Sequence, residues 1–234
     1  PTRRSSDLAR FVDEDFNRIW SLDKLDGPAS SLDLQRAREL RPLVDAADTL
    51  LDLHSMHEAC APLLLSGPLD KGIDFARLLG YPAHVIVDAG HAQGRRLRDY
   101  AGFGDPASPK NALLIECGQH WEIRAATVAR QATARFLQQL RVVDEADLAD
   151  WITLPFEAQQ IIHVTNAVVA DSMAFRFVAD YRGLEVIKLA GTLIATDGAC
   201  EIRTPYDDCV LVMPSLRQLA PGVTVVRFGR ITGS

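Results

Sequence analysis

The sequence lacks several features that would each define a class of protein. Its 234 residues contain no apolar run near the roughly 18 residues that a membrane-spanning helix requires. There is no excess of positive charge, since the net charge is −6, which argues against a nucleic-acid-binding surface. No apolar signal-peptide segment is present, so we expect a cytoplasmic protein. The four cysteines show no C-x-x-C spacing, which predicts free thiols.

Common catalytic and phosphate-binding motifs are also absent. The sequence contains no G-x-S-x-G, no G-x-x-x-x-G-K and no G-x-G-x-x-G. These absences argue against a serine-hydrolase nucleophile elbow, a P-loop and a dinucleotide-binding turn. We therefore expect neither a nucleic-acid partner nor a membrane partner, and an oligomer is compatible with the sequence.

Short apolar strands and amphipathic helices are what the first part of the chain contains. Helices are predicted over residues 34–50, 71–79 and 122–140, and strands over residues 49–54, 62–65, 83–88 and 112–117. This alternation predicts an α/β fold with a mixed, mainly parallel sheet flanked by helices. After residue 141 the pattern changes to short strands at residues 161–169, 172–178, 185–189, 208–213 and 223–228, separated by turns such as Arg182-Gly183 and Asp197-Gly198. We predict an α/β domain at residues 1–143 and a smaller all-β domain at 144–234.

Two predicted strands end in residues that can perform chemistry. His54 follows the run Leu51-Asp52-Leu53, and Glu116 follows Ala112-Leu113-Leu114-Ile115. Open α/β sheets bind ligands at the carboxyl ends of their strands. Side chains alternate along a strand, so Asp52 is on the same side as His54 and could orient it. The two residues suggest metal-assisted hydrolysis, although a hydrogen-bonded core histidine and a buried, paired glutamate are the alternatives.

The segment at residues 10–18 concentrates charge near the N-terminus. It contains two arginines, Arg10 and Arg18, with Asn17 and three carboxylates. Such a segment is either a solvated loop or a preorganised anion site, because the planar guanidinium binds carboxylates through two hydrogen bonds. A long polar loop at residues 89–111 adds Arg95, Arg96 and Arg98.

Three of these segments together resemble a known family. Residues 10–18, 52–55 and 115–119 are similar to the succinylglutamate desuccinylase/aspartoacylase family of zinc hydrolases, whose fold is related to the zinc carboxypeptidases. The resemblance implies that His54 is a ligand of one Zn²⁺ ion and that Glu116 is the general base. It implies that Arg10 polarises the scissile carbonyl.

The resemblance also implies residues that contact a small carboxylated substrate. Asn17 and Arg18 resemble the pair that binds the substrate carboxylate. Arg98 is the candidate for a further arginine of the family, with Arg95 and Arg96 as alternatives. Tyr206 is the candidate for a tyrosine that some members contribute from the β domain. The implied reaction is hydrolysis of the amide of an N-acyl amino acid or a similar compound.

The sequence departs from the family at the other zinc ligands. The family takes two ligands from a His-x-x-Glu segment, and this sequence contains none. Residues 1–8 resemble translated adapter sequence, so we expect that the natural chain has a different N-terminal part. We expect this 234-residue chain to bind zinc poorly and to be inactive. A non-catalytic binding protein and a zinc hydrolase acting on esters or peptide ends are the alternative interpretations.

Overall fold

A computed structural model describes residues 11–90, 94–153 and 158–233. Its main feature is an eight-stranded sheet formed by β1 (Thr49–Met56), β2 (Leu63–Leu65), β3 (His84–Val87), β4 (Asn111–Gln119), β5 (Gln160–Val169), β7 (Val186–Ile187), β10 (Cys209–Val212) and β11 (Thr224–Gly233). The order across this sheet is β1-β4-β2-β3-β5-β11-β10-β7. A second sheet has three strands in the order β6 (Phe175–Phe177), β8 (Leu193–Asp197) and β9 (Cys200–Arg203). The predicted α/β fold with an additional β region is confirmed.

The large sheet is mixed, as predicted. Parallel pairing joins β1 to β4, β2 to β3 and β3 to β5. The other four pairings are antiparallel. Parallel pairs predominate only on the side of the sheet that precedes β5, because every pairing among β5, β11, β10 and β7 is antiparallel.

Five α-helices occur in the described part of the chain: α1 (Leu22–Asp26), α2 (Leu32–Ala46), α3 (Asp70–Leu79), α4 (Ile123–Gln139) and α5 (Glu145–Leu148). Ser31 caps α2, since its Oγ accepts a hydrogen bond from the Leu34 amide at 3.0 Å. Gly80 ends α3 in the left-handed conformation that favours glycine, with φ of 60°. None of the described helices combines the length and the apolar character needed to cross a bilayer.

Two cores cover the two faces of the large sheet. On one face, α3 and α4 pack against the strands through buried residues such as Phe75 and Val128. The core on the other face joins Leu63 and Ile86 with Ile162 and Val210. The sheet and this second core therefore continue across the predicted boundary between residues 143 and 144. The division into two domains stays a prediction.

Candidate active site

His54 and Glu116 lie side by side on neighbouring strands. They are register partners in the parallel pair of β1 and β4. Neighbouring strands lie about 4.8 Å apart, and residues in register point to the same face of the sheet. Both strands continue beyond the two residues, to Met56 and Gln119, rather than ending at them. Both side chains line one cavity of about 550 Å³.

Asp52 contacts His54 as the alternation of the strand predicts. Its Oδ1 lies 3.0 Å from Nε2 of His54, and both side chains are largely buried. A carboxylate at this distance fixes the orientation of the imidazole ring. The β1 strand thus supplies both the histidine and the residue that positions it.

Glu116 lies in a poorly solvated environment. Only 8% of the residue is exposed. Burial, together with the Glu116 carboxylate, raises the pKa of the neighbouring Cys117 thiol to about 12. Both effects oppose formation of a thiolate, so Cys117 is protonated at neutral pH and is a poor nucleophile. The carboxylate of Glu116 is therefore a better candidate for chemistry here than the thiol beside it.

Polar side chains at the ends of β1 and β4 and just beyond them form or support part of the cavity lining. Oγ of Ser55 lies 2.7 Å from Nδ1 of His120. The rings of His57 and His120 pack edge to face, with centroids 4.5 Å apart. Gln119 supports this group, because its amide donates to the carbonyl of His57 at 3.1 Å. His57, for which the sequence favoured a surface or capping position over a metal-binding one, lines the cavity.

The opposite wall of the cavity comes from the second half of the chain. Its residues are Arg182, Met213, Pro214, Ser215, Gln218, Val223 and Thr224. None of them was a candidate from the sequence. The sequence marked only a turn at Arg182-Gly183 in this region. These residues are far along the chain from His54 and Glu116, so no local pattern indicates that they face the same cavity.

Asn17 and Arg18 lie on a 3-10 helix (Phe16–Arg18) next to His54. Asn17 lines a smaller pocket of about 130 Å³ that also includes Asp52 and His54. Its Oδ1 accepts a hydrogen bond from the Leu97 amide at 2.9 Å. Nη1 of Arg18 donates to the carbonyl of Asn17 at 2.7 Å. The structure thus brings Asn17 near His54, whereas the carboxylate-binding role of both residues stays a prediction.

The other predicted substrate residues do not line the larger cavity. Arg98 is 3% exposed and donates through Nη2 to the carbonyls of Ser66 and Ala112, both at 2.7 Å. The hydroxyl of Tyr206 lies 2.7 Å from Oγ1 of Thr165. Their contacts with substrate stay predictions. Arg10 lies outside the described residues.

Arg95 and Arg96, the alternatives to Arg98, differ from each other in burial. Arg96 is 2% exposed, and its Nε lies 2.6 Å from Oδ2 of Asp99. Arg95 is exposed, and its carbonyl accepts a hydrogen bond from the Trp20 amide at 3.2 Å. Neither residue lines the 550 Å³ cavity.

A zinc ion at His54 would need further ligands from the surrounding side chains. Across residues 11–90, 94–153 and 158–233, no three His, Cys, Asp or Glu side chains are grouped so that they could hold a metal ion. A catalytic zinc needs about three protein ligands and a water molecule. The described residues therefore do not fit a complete zinc site, and the metal-binding role of His54 stays a prediction.

Solved structures with a similar fold match almost the whole chain. The succinylglutamate desuccinylase from Vibrio cholerae matches 95% of this chain with a TM-score of 0.63 and 18% sequence identity. The succinylglutamate desuccinylase/aspartoacylase from Rhodobacter sphaeroides matches 94% with a TM-score of 0.66 and 15% identity. This chain has the desuccinylase fold. The ectoine utilization protein EutE (DoeB) from Ruegeria pomeroyi also matches, over 93% of the chain, with a TM-score of 0.62 and 14% identity.

The match to the desuccinylase fold is a match of structure at low sequence identity. The chain spans 66% of the Vibrio cholerae structure and 69% of that from Rhodobacter sphaeroides, or about two thirds of their length. No protein-family model and no curated protein sequence matches the chain. The resemblance carried by residues 10–18, 52–55 and 115–119 is thus confirmed at the level of the fold.

Proposed function

We propose that this chain is part of a zinc-dependent hydrolase that cleaves the amide of an N-acyl amino acid or a similar small carboxylated amide. The observation that carries the proposal is the pairing of His54 with Glu116, in register and lining one cavity. A cavity of about 550 Å³ is suited to a small molecule. The desuccinylase fold supports the same class of substrate.

Glu116 is the general base in this proposal. Its carboxylate accepts a proton from the attacking water as the water oxygen bonds to the amide carbon. It then donates that proton to the leaving nitrogen as the carbon–nitrogen bond breaks, which restores the carboxylate. Asp52 holds the His54 ring, and Arg10 keeps the role that the resemblance implies.

We further propose that the 234-residue chain alone binds zinc weakly and does not turn over substrate. Two observations support this: the sequence contains no His-x-x-Glu segment, and the described residues group no three metal ligands. The experiment measures the zinc content of the purified chain, its hydrolysis of N-acetyl amino acids, and its binding of the same compounds by calorimetry. We expect substoichiometric zinc and no turnover, but measurable binding.

Each part of that result tests a different statement. Tight zinc binding with turnover would contradict the incomplete ligand set, and Glu116→Gln should then lower kcat by about 10²- to 10⁴-fold. Absence of binding by any N-acetyl amino acid would contradict the proposed substrate class. The second candidate function, a binding protein without catalysis, is favoured by the incomplete ligand set and predicts binding that Glu116→Gln does not weaken.

A further inference from the structure

The charge of the cavity is unevenly distributed. Among the described residues that line it, Arg182 is the one with a permanent positive charge, whereas Glu58 and Glu116 are acidic. The apolar side chains of the wall are Met56, Trp121, Met213, Pro214 and Val223. A ligand in this cavity therefore meets one permanent cation, two carboxylates and five apolar side chains.

The turn that carries Arg182 is held in place by the carboxylate of Glu185. Oε1 of Glu185 accepts a hydrogen bond from the Arg182 amide at 2.6 Å, and Oε2 accepts one from the Gly183 amide at 2.8 Å. Backbone hydrogen bonds with Leu211 continue on the far side of the turn, from the Leu184 amide and to the Glu185 carbonyl. The backbone that presents Arg182 is thus fixed at several points.

The same turn contains backbone conformations that are costly for most residues. Gly183 has φ of 113° and Leu184 has φ of 68°. A positive φ is rare for a residue with a Cβ, and such strain persists where the surrounding structure imposes it. Strained turns of this kind concentrate at functional sites, which directs attention to the side chain that this turn presents.

Cys60 lies close to both the turn and Glu116. A Cβ atom added to Gly183 would lie 2.8 Å from Sγ of Cys60, so the turn packs closely on this thiol. Burial, together with the carboxylates of Glu185 and Glu116, raises the pKa of the Cys60 thiol to about 12. The turn therefore packs against a half-buried side chain that is also close to Glu116.

The guanidinium of Arg182 has a weak partner in the chain itself. Its Nη2 lies 3.7 Å from Oδ2 of Asp180, and the Arg182 side chain is 69% exposed. An exposed ion pair at this distance contributes little stabilisation. A carboxylate ligand that accepts two hydrogen bonds from the guanidinium would compete with Asp180 effectively.

We propose that Arg182, instead of Asn17 and Arg18, which do not line this cavity, binds the carboxylate of the ligand. We also propose that the ligand has a single carboxylate and an apolar remainder, as in the N-acyl derivative of an apolar amino acid. The amide part of this ligand rests on the function proposed above, whereas the carboxylate site does not. A second carboxylate would lie near Glu116, and the Glu58 carboxylate is already paired with Arg217, with Oε1 and Nε 2.9 Å apart. The described lining residues of the cavity offer no second permanent cation. Like charges at short range disfavour such a ligand.

The test measures affinities by calorimetry, with the fluorescence of the cavity residue Trp121 as a second signal. The probes are N-acetyl-L-leucine, its uncharged analogue N-acetyl-L-leucinamide, the dicarboxylate N-acetyl-L-aspartate, and 4-methylpentanoate, which has no amide. Arg182→Gln should weaken N-acetyl-L-leucine by about 10- to 100-fold, the loss expected for charge-assisted hydrogen bonds. Arg182→Gln should leave the affinity for N-acetyl-L-leucinamide unchanged. Arg182→Lys should retain part of the affinity for N-acetyl-L-leucine.

The matched control is Arg203→Gln, which removes an exposed arginine of β9 that pairs with Glu201 instead. It should change no affinity. Equal affinities of Arg182→Gln and the unaltered chain for N-acetyl-L-leucine would overturn the proposal, as would no binding of either carboxylate by the unaltered chain. Stronger binding of N-acetyl-L-aspartate than of N-acetyl-L-leucine would overturn the single-carboxylate part.

The probe without an amide separates this proposal from the proposed function. If 4-methylpentanoate binds as tightly as N-acetyl-L-leucine and both depend on Arg182, the carboxylate site stands and recognition of the amide fails. If N-acetyl-L-leucine binds more tightly but does so without Arg182, the substrate class stands and the carboxylate site fails.

Discussion

Two regions of the molecule carry arginines close to the candidate site, and they use them differently. The polar loop after β3 contains Arg96 and Arg98, both almost completely buried. The turn at residues 182–185 presents Arg182, which is mostly exposed and lines the large cavity. The family resemblance favoured the loop as the source of a substrate contact. The difference shows that the groups around a guanidinium, and not the local density of arginines, decide what it can bind.

The buried arginines form a network with two aspartates. Arg96 and Arg98 each contact Asp99, and Arg227 of β11 contacts Asp88 with Nε and Oδ2 3.3 Å apart. Burial lowers the pKa values of Arg98 and Arg227, and the nearby aspartates oppose this effect. Charges in such a place cost much free energy unless each is paired. This network therefore joins the loop to the second half of the chain.

Replacing Arg98 should have the largest effect. Arg98→Met removes the hydrogen bonds to the carbonyls of Ser66 and Ala112 and leaves the largely buried Asp99 side chain with one fewer partner. We expect a loss of about 3–5 kcal/mol in the free energy of unfolding, measured by urea denaturation. The exposed neighbour provides the control, because Arg95→Met should change stability by less than about 0.5 kcal/mol. Similar effects of the two substitutions would remove the contrast between the buried and exposed arginines.

Substitution of Gly183 tests whether the turn is fixed as described. Gly183→Ala should cost about 1–3 kcal/mol, because φ of 113° disfavours alanine and the new Cβ would crowd Sγ of Cys60. The substitution should also weaken the binding of N-acetyl-L-leucine, because the turn that carries Arg182 must shift. Gly222→Ala is the matched control: φ is 85° there, but no atom lies within 4 Å of the added Cβ. An equal cost at both glycines would show that packing on Cys60 contributes nothing.

The parts of the structure that the sequence predicted depend on local patterns. Helical spacing of apolar residues located α2, α3 and α4, and apolar runs located β1 and β4. Strand alternation predicted the contact of Asp52 with His54. These features depend on residues only a few positions apart, so one sequence is sufficient to find them.

The parts that were not predicted depend on contacts between distant residues. The pairing of β5 with β3 extends one sheet across the predicted domain boundary, and no local pattern marks that contact. The hairpin of β8 and β9 was missed although Asp197-Gly198 was identified as a turn, because neither strand shows a clear apolar run. The cavity wall that contains Arg182 was missed for the same reason as the pairing of β5.

Alkaline pH offers a test of the contact between the turn and Cys60. The unfolded thiol loses its proton near the ordinary pKa of 9.0, whereas the folded thiol keeps it until about pH 12. The raised pKa therefore stabilises the native state below pH 9, and this contribution falls by about 1.4 kcal/mol per pH unit as the pH rises further. Cys60→Ala should make the decline of unfolding free energy between pH 9 and 11 shallower by that amount. Cys200→Ala, at an exposed thiol, is the control, and equal slopes for the two variants would contradict the raised pKa of the Cys60 thiol.

Asp180 should give the smallest effect and the finest test of the exposed arginine. Its carboxylate lies 3.7 Å from Arg182 and competes with any carboxylate ligand. Asp180→Asn should therefore raise the affinity for N-acetyl-L-leucine by about 1.4- to 5-fold, which corresponds to the roughly 0.2–1 kcal/mol of an exposed ion pair. The free energy of unfolding should not change. Salt should reduce the gain because both side chains are solvated. The control is Glu201→Gln, which breaks the exposed pair with Arg203 and should not change the affinity for N-acetyl-L-leucine. Weaker binding of N-acetyl-L-leucine by Asp180→Asn would mean that Asp180 positions the Arg182 guanidinium. Arg182 would then be held by a carboxylate, as Asp99 holds Arg96 and Arg98 in the loop after β3.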